Sequence, residues 1–133
     1  MEITSWKGLK VLVIEDSKEE RRVICDMLHE IGVTHTFEVE DGWTALEFKS
    51  SDFELADIVM CDWNMKGLNG LEVLKHFRET STDQAFLMVS GRCDPESIMH
   101  AKAAGADGYL LKPFSCNELQ TKIAAVMMQK HSL

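Results

Sequence analysis

Nowhere in the chain do eighteen apolar residues run together, and the N-terminal MEITSWKGLK lacks the charged-then-apolar layout of a signal peptide. Neither a helical membrane span nor secretion is expected, and the predicted location is cytoplasmic. Basic residues are scarce: 14 Lys and Arg stand against 22 Asp and Glu, a formal net charge of -8. Nucleic-acid binding draws on a basic stripe that releases counterions from phosphates, so a nucleic-acid partner is excluded along with a membrane one. Cysteine supplies no framework. Cys25, Cys61, Cys93 and Cys116 form no C-x-x-C pair and fall one per segment, the pattern of reduced thiols rather than of disulfides or a zinc site. Proline occurs only at 95 and 113, and no Pro/Gly/Ser linker, repeat or low-complexity tract divides the 133 residues. A single domain spanning 1–133, with no output domain, is the expectation.

What the chain does have is alternation. Short apolar runs at LKVLVI (9–14), THTFEV (34–39), DIVMC (57–61), AFLMVS (85–90) and DGYLLK (107–112) are separated by stretches of helical periodicity. The first helix is predicted to present Val23, Ile24, Met27, Leu28 and Ile31 on one face, to start from a Ser17-x-x-Glu20 capping box and to stop at Gly32. The last repeats the device with Ser115-x-x-Glu118 and an inward face of Leu119, Ile123, Val126 and Met127. Between them, Asp94-Pro95 places a cap residue before a first-turn proline, and Gly105 closes that helix. Five β-then-α units of this kind predict an α/β fold, a doubly wound three-layer α/β/α sandwich around a five-stranded parallel sheet. Trp6 and Trp43 are read as packing residues, and Trp63 as a local cover.

In such sheets ligands gather at the carboxyl ends of the strands. The stretch VLVIEDS drives an apolar strand straight into Glu15 and Asp16. Two like charges at ~4 Å and an effective dielectric of ~20 repel by roughly 4 kcal/mol, so a cation is expected between them. The third predicted strand runs into Asp62, the fourth into Ser90 and the fifth into Lys112, whereas the second ends in Glu40 and Asp41, read as a turn and a helix cap. Three carboxylates on one edge make a hard oxygen site suited to Mg²⁺. Asp62 is then placed to act as an oxygen nucleophile, Lys112 as a point positive charge and the Ser90 hydroxyl as a hydrogen-bond donor to a phosphoryl oxygen.

On VLVIEDS, DIVMCDWNMKGLNGLEVL, FLMVSGR and GADGYLLKPF, in that order and spacing, the chain from about Leu9 to Met128 resembles the response-regulator receiver domains of two-component signalling, and among them the single-domain chemotaxis members. The resemblance implies a flavodoxin-like (βα)5 fold. It implies that Glu15 and Asp16 hold Mg²⁺ together with Asp62 and the backbone carbonyl of Asn64, and that Asp62 is the phosphoacceptor. It further implies that Ser90 and Tyr109 form a switch pair, that Lys112 contacts the phosphoryl group and that Lys112-Pro113 is a cis bond. The implied partners are a sensor histidine kinase or phosphotransfer protein as donor and a target protein, such as a flagellar motor component, bound through the fourth helix, fifth strand and fifth helix. The chain would then be no conventional enzyme, although it would catalyse its own Asp phosphorylation and dephosphorylation with Mg²⁺. Asn64 and Arg92 occupy the positions that flank the solvent side of the phosphoryl group in this family, and Arg92 is expected to shield it. Departures from the pattern are Lys66, where many members carry proline, and Asn69, where Asp is frequent; the KGLNG loop is expected to be more mobile in consequence. A cofactor-binding or phosphohydrolase role on the same fold lacks its phosphate cradle, because EDSKEE after the first strand is acidic.

Overall fold

The computed structural model describes residues 6–47, 56–80 and 83–130. Five strands, β1 (Lys10–Ile14), β2 (His35–Val39), β3 (Ile58–Asp62), β4 (Ala85–Ser90) and β5 (Gly108–Leu111), alternate with α1 (Lys18–Glu30), α2 (Gly42–Glu47), α3 (Gly70–Thr80), α4 (Pro95–Ala103) and α5 (Cys116–Lys130). The strands form one parallel sheet in the order β2-β1-β3-β4-β5. Parallel pairing needs crossover connections, which α1 to α4 supply, and together with α5 they leave both faces of the sheet covered.

Side chains alternate along a strand, and here the alternation sorts the core into two. Val11, Val13, Ile58, Met60, Leu87, Val89 and Leu110 pack with Ile24 and Leu28 of α1 and Leu119, Ile123 and Val126 of α5. Leu12, Ile14, Val59, Cys61, Phe86 and Met88 face the other way, against Val73, Leu74 and Phe77 of α3 and Ala101 of α4. Phe77 meets Phe86 edge-on at 5.5 Å between ring centroids. β3 and β4 are buried at every residue, which explains their unbroken apolar runs.

The helix ends follow the predicted signals. Asp94 caps α4 through the Ser97 amide at 2.9 Å, Asp41 accepts from the Thr44 amide at 2.6 Å, and Gly32 and Gly105 take the positive φ angles of 105° and 106° that end α1 and α4. Three expectations change. Val23 is 55% exposed, and Cys25 takes a buried place on α1 instead. A helix lying across a sheet buries a narrow stripe, which Ile24, Cys25 and Leu28 fill. Trp43 is 62% exposed; α2 seats itself through Gly42 and Ala45, so the indole faces outward. The Ser17 capping box forms only by half, a point taken up below. No helix among the described residues is long and apolar enough to cross a membrane.

Candidate functional site

Strand parity decides which edge residues meet. Glu15 continues the face of Val11 and Val13, Asp62 that of Ile58 and Met60, and Lys112 that of Leu110, so all three emerge on the α1/α5 side. Their side chains converge: Lys112 Nζ lies 2.9 Å from Glu15 Oε1 and 3.2 Å from Asp62 Oδ1. Glu15 and Asp62 are buried, and one carboxylate oxygen from each of Glu15, Asp16 and Asp62 falls within 4.8 Å of the others. Asp16 is held from the β3–α3 loop by the backbone amide of Lys66, 3.0 Å from its Oδ2. A proline at 66 would have no N–H to give, so this departure from the family pattern provides Asp16 with a partner. Arg21 donates to the Glu15 carbonyl at 2.7 Å and to Glu38 at 3.2 Å, fixing α1 against the strand end.

Glu15 and Asp62 share one ammonium with Asp16 close beside them, and the electrostatics show the deficit. Burial pushes Glu15 up to about 7, against the opposing pull of Lys112, and burial likewise raises Asp62 above the usual carboxylate range. Burial works against the charge of Lys112, but its hydrogen bonds to Glu20 and Glu15 outweigh this and push it up. An all-oxygen donor set short of positive charge is the environment that a hard divalent cation such as Mg²⁺ fits. A pH dependence follows. The folded value of Glu15 lies above its ordinary 4.5, so folding favours the protonated form. The stabilisation is complete below about 4.5 and is lost as pH rises through about 7. Without divalent ions, the melting temperature is expected to fall across that window, and saturating Mg²⁺ to abolish the fall; a flat or rising profile in chelator would contradict it.

Ser90 and Tyr109 belong to the opposite parity, facing α4. They are joined through Arg92. Its amide donates to Ser90 Oγ at 3.0 Å, and its carbonyl accepts from the Tyr109 hydroxyl at 2.7 Å. Its guanidinium donates to Asn64 Oδ1 at 3.2 and 3.3 Å and lies 5.0 Å from the Trp63 ring centroid, and Trp63 meets Tyr109 edge-on at 6.4 Å. Trp63 is buried, as a cover should be.

Glycine matters at one point here. A Cβ on Gly70 would overlap the Asp62 carbonyl oxygen and the Trp63 backbone, so only glycine lets the start of α3 close on β3, where its amide donates to the Trp63 carbonyl at 2.8 Å. A Cβ on Gly91 would meet nothing within 4 Å. Lys112-Pro113 is cis.

The sequence reading placed Glu15, Asp16, Asp62 and Lys112 together, and they are. It missed Glu20, whose Oε1 lies 2.9 Å from Lys112 Nζ, because its spacing from Ser17 already had an explanation as a capping box. It also missed the bridge that Arg92 makes between Ser90 and Tyr109, which runs through backbone atoms that carry no sequence signal.

Residues 11–124 match the pattern of the response regulator receiver domain. The chain is 36% identical over 126 residues to chemotaxis protein CheY-3 of Vibrio cholerae, covering 92% of this chain and 95% of that one. It is 36% identical over 121 residues to chemotaxis protein CheY of Pseudomonas aeruginosa, covering 89% and 95%. Among solved structures, chemotaxis protein CheY4 of Vibrio cholerae superposes with a TM-score of 0.75 at 29% identity, covering 86% of this chain and 95% of that one. A receiver domain protein of Clostridium thermocellum, at 24% identity and coverage of 92% and 96%, superposes with a TM-score of 0.84 and speaks for the fold alone.

Proposed function

The chain belongs to the receiver domain family of response regulators, whose members are signalling switches, and from that premise we propose that it is switched by a phosphoryl group carried on Asp62. One observation carries the reading: a buried carboxylate at the carboxyl edge of a parallel sheet, 3.2 Å from a lysine ammonium and set within an acidic cluster. A phosphohistidine on a sensor kinase or phosphotransfer protein is the donor. An Asp62 carboxylate oxygen attacks phosphorus, the P–O bond forms, and the P–N bond breaks with its electron pair returning to the donor imidazole. In the reverse of signalling, water attacks phosphorus, and the P–O bond to Asp62 breaks to give inorganic phosphate and the free carboxylate.

Mg²⁺ would be held by Glu15, Asp16, Asp62 and the Asn64 backbone carbonyl, and when bound it would neutralise charge on the transferring group. Lys112 pairs with the phosphoryl oxygens. The Ser90 hydroxyl donates to one of them, and its displacement acts on Tyr109 through Arg92. Tyr109 borders a groove of about 560 Å³ with Ile98, Leu111 and Lys122, between α4, β5 and α5. A cytoplasmic target such as a flagellar motor component docks there, in keeping with the chemotaxis proteins among the relatives.

The test is mass spectrometry after exposure to a small phosphodonor with Mg²⁺. One phosphoryl group, labile to hydroxylamine and mapped to Asp62, supports the proposal; mapping to Ser90 or a histidine overturns it. Arg92 bears on how long the signal lasts. Held by Asn64 and Trp63, its guanidinium occupies the solvent side of the site, so Arg92→Ala is expected to shorten the life of phospho-Asp62 several-fold without altering Mg²⁺ affinity. An unchanged lifetime would reduce Arg92 to a loop residue, and a longer one would mean that it assists hydrolysis.

A further inference from the structure

Three helices open on the same four-residue device. In Asn69-x-x-Glu72 and Ser115-x-x-Glu118 both halves form: the Glu72 amide donates to Asn69 Oδ1 at 2.9 Å and the Asn69 amide to Glu72 Oε1 at 3.0 Å, and the corresponding pair at Ser115 and Glu118 is 3.1 Å each way. At Ser17-x-x-Glu20 only the first half exists, with the Glu20 amide 3.3 Å from Ser17 Oγ. The Ser17 amide donates instead to Glu15 Oε2 at 3.1 Å, and the Glu20 carboxylate turns away to Lys112. Glu20 thus leaves its helix cap for a lysine on β5's far end.

That diversion gives Lys112 a second hydrogen-bonded carboxylate beside Glu15. An ammonium has three N–H donors, and three carboxylate oxygens stand around it: Glu15 and Glu20 at 2.9 Å and Asp62 at 3.2 Å. A phosphoryl group on Asp62 has to compete with these partners for Lys112. The side chains of Glu15 and Asp62 are 1% and 6% exposed, whereas that of Glu20 is 53% exposed. Water replaces the lost partner at least cost for Glu20.

We propose that Glu20 is a positioning residue that competes with the phosphoryl group for Lys112 and thereby sets how readily the phosphorylated state forms. The proposal rests on the reading of Asp62 as phosphoacceptor. Glu20→Gln keeps the size of the side chain and removes the charge that pairs with Lys112. It is expected to bind fluoroberyllate, a phosphoryl mimic, about three- to five-fold more tightly in Mg²⁺ and to be labelled faster by a small phosphodonor to a similar degree. Glu19→Gln is the charge-matched control, because Glu19 is a neighbouring exposed carboxylate whose hydrogen bond is to Ser17 Oγ, at 3.5 Å.

The experiment measures fluoroberyllate affinity by fluorine NMR in the full chain, for the unaltered protein, for Glu20→Gln and Glu19→Gln, and for Lys112→Ala with and without Glu20→Gln. A gain confined to Glu20→Gln that vanishes when Lys112 is absent supports the proposal, since a helix-capping role would not depend on Lys112. No gain, an equal gain in Glu19→Gln, or a gain that persists without Lys112 overturns it. If the unaltered protein neither binds fluoroberyllate nor labels on Asp62, the phosphoacceptor reading fails and the proposal falls with it.

Discussion

Asp62→Asn is expected to take up no phosphoryl group from a small donor in Mg²⁺, and yet to melt higher than the unaltered protein when divalent ions are absent. The amide is nearly isosteric with the carboxylate but is a poor nucleophile, so the covalent step is lost while the packing stays. The gain in stability comes from charge. Asp62 is held above the usual carboxylate range chiefly by burial, and the attraction of Lys112 only partly offsets this. An amide pays no such penalty, and Lys112 keeps Glu15 and Glu20 as partners. The expected result at neutral pH is a higher melting temperature in chelator than that of the unaltered protein. The response to Mg²⁺ should shrink in the same variant, since one of the three carboxylates is gone. A variant that melts lower in chelator would show that the pull of Lys112 on Asp62 exceeds the cost of burial.

The second large effect lies at the other end of the sheet. Arg78 of α3 donates to the Gln84 carbonyl at 2.7 Å, to the Gly105 carbonyl at 2.9 and 3.1 Å and to Asp107 Oδ2 at 3.0 Å. Asp107 also accepts from the Phe86 amide at 2.9 Å and pairs with Lys130 at 3.1 Å. One guanidinium therefore ties α3 to the starts of β4 and β5, and through Asp107 to the end of α5. Its side chain is 15% exposed and that of Asp107 is 11% exposed, so truncation strands part-buried carbonyls and removes one of the three partners of a carboxylate. Arg78→Ala is expected to cost roughly 3–5 kcal/mol in urea denaturation. Lys at this position recovers only part of that, because a single ammonium cannot reproduce the fork. Labelling of Asp62 should be unchanged under conditions where the variant is folded, since the network sits at the amino ends of the strands. A loss below about 1 kcal/mol would mean that water replaces the guanidinium freely.

The strands and most helix ends were legible in the sequence because they depend on neighbours along the chain. Unbroken apolar runs marked β3 and β4, and Asp94-Pro95 and Gly105 marked the limits of α4. The acidic edge was legible for a related reason: residues that directly follow strands in a parallel sheet must share an edge. What escaped depends on residues far apart in sequence. Val23 and Trp43 carry apolar character in positions where the packing stripe does not need it. Arg78 reads as an ordinary surface arginine until β5 is laid beside β4. Glu20 satisfied a local rule so well that nothing in its surroundings pointed to Lys112.

Tyr109 and Lys112 are three residues apart on β5 and its exit, an odd number, so they project from opposite faces of the sheet. The sheet thus separates Lys112 and the acidic cluster from Tyr109, and β5 with its exit contributes one group to each face. Adding one residue between them would leave both in the chain but bring them onto a single side. The count of residues between the two is therefore as much a part of this arrangement as the residues themselves.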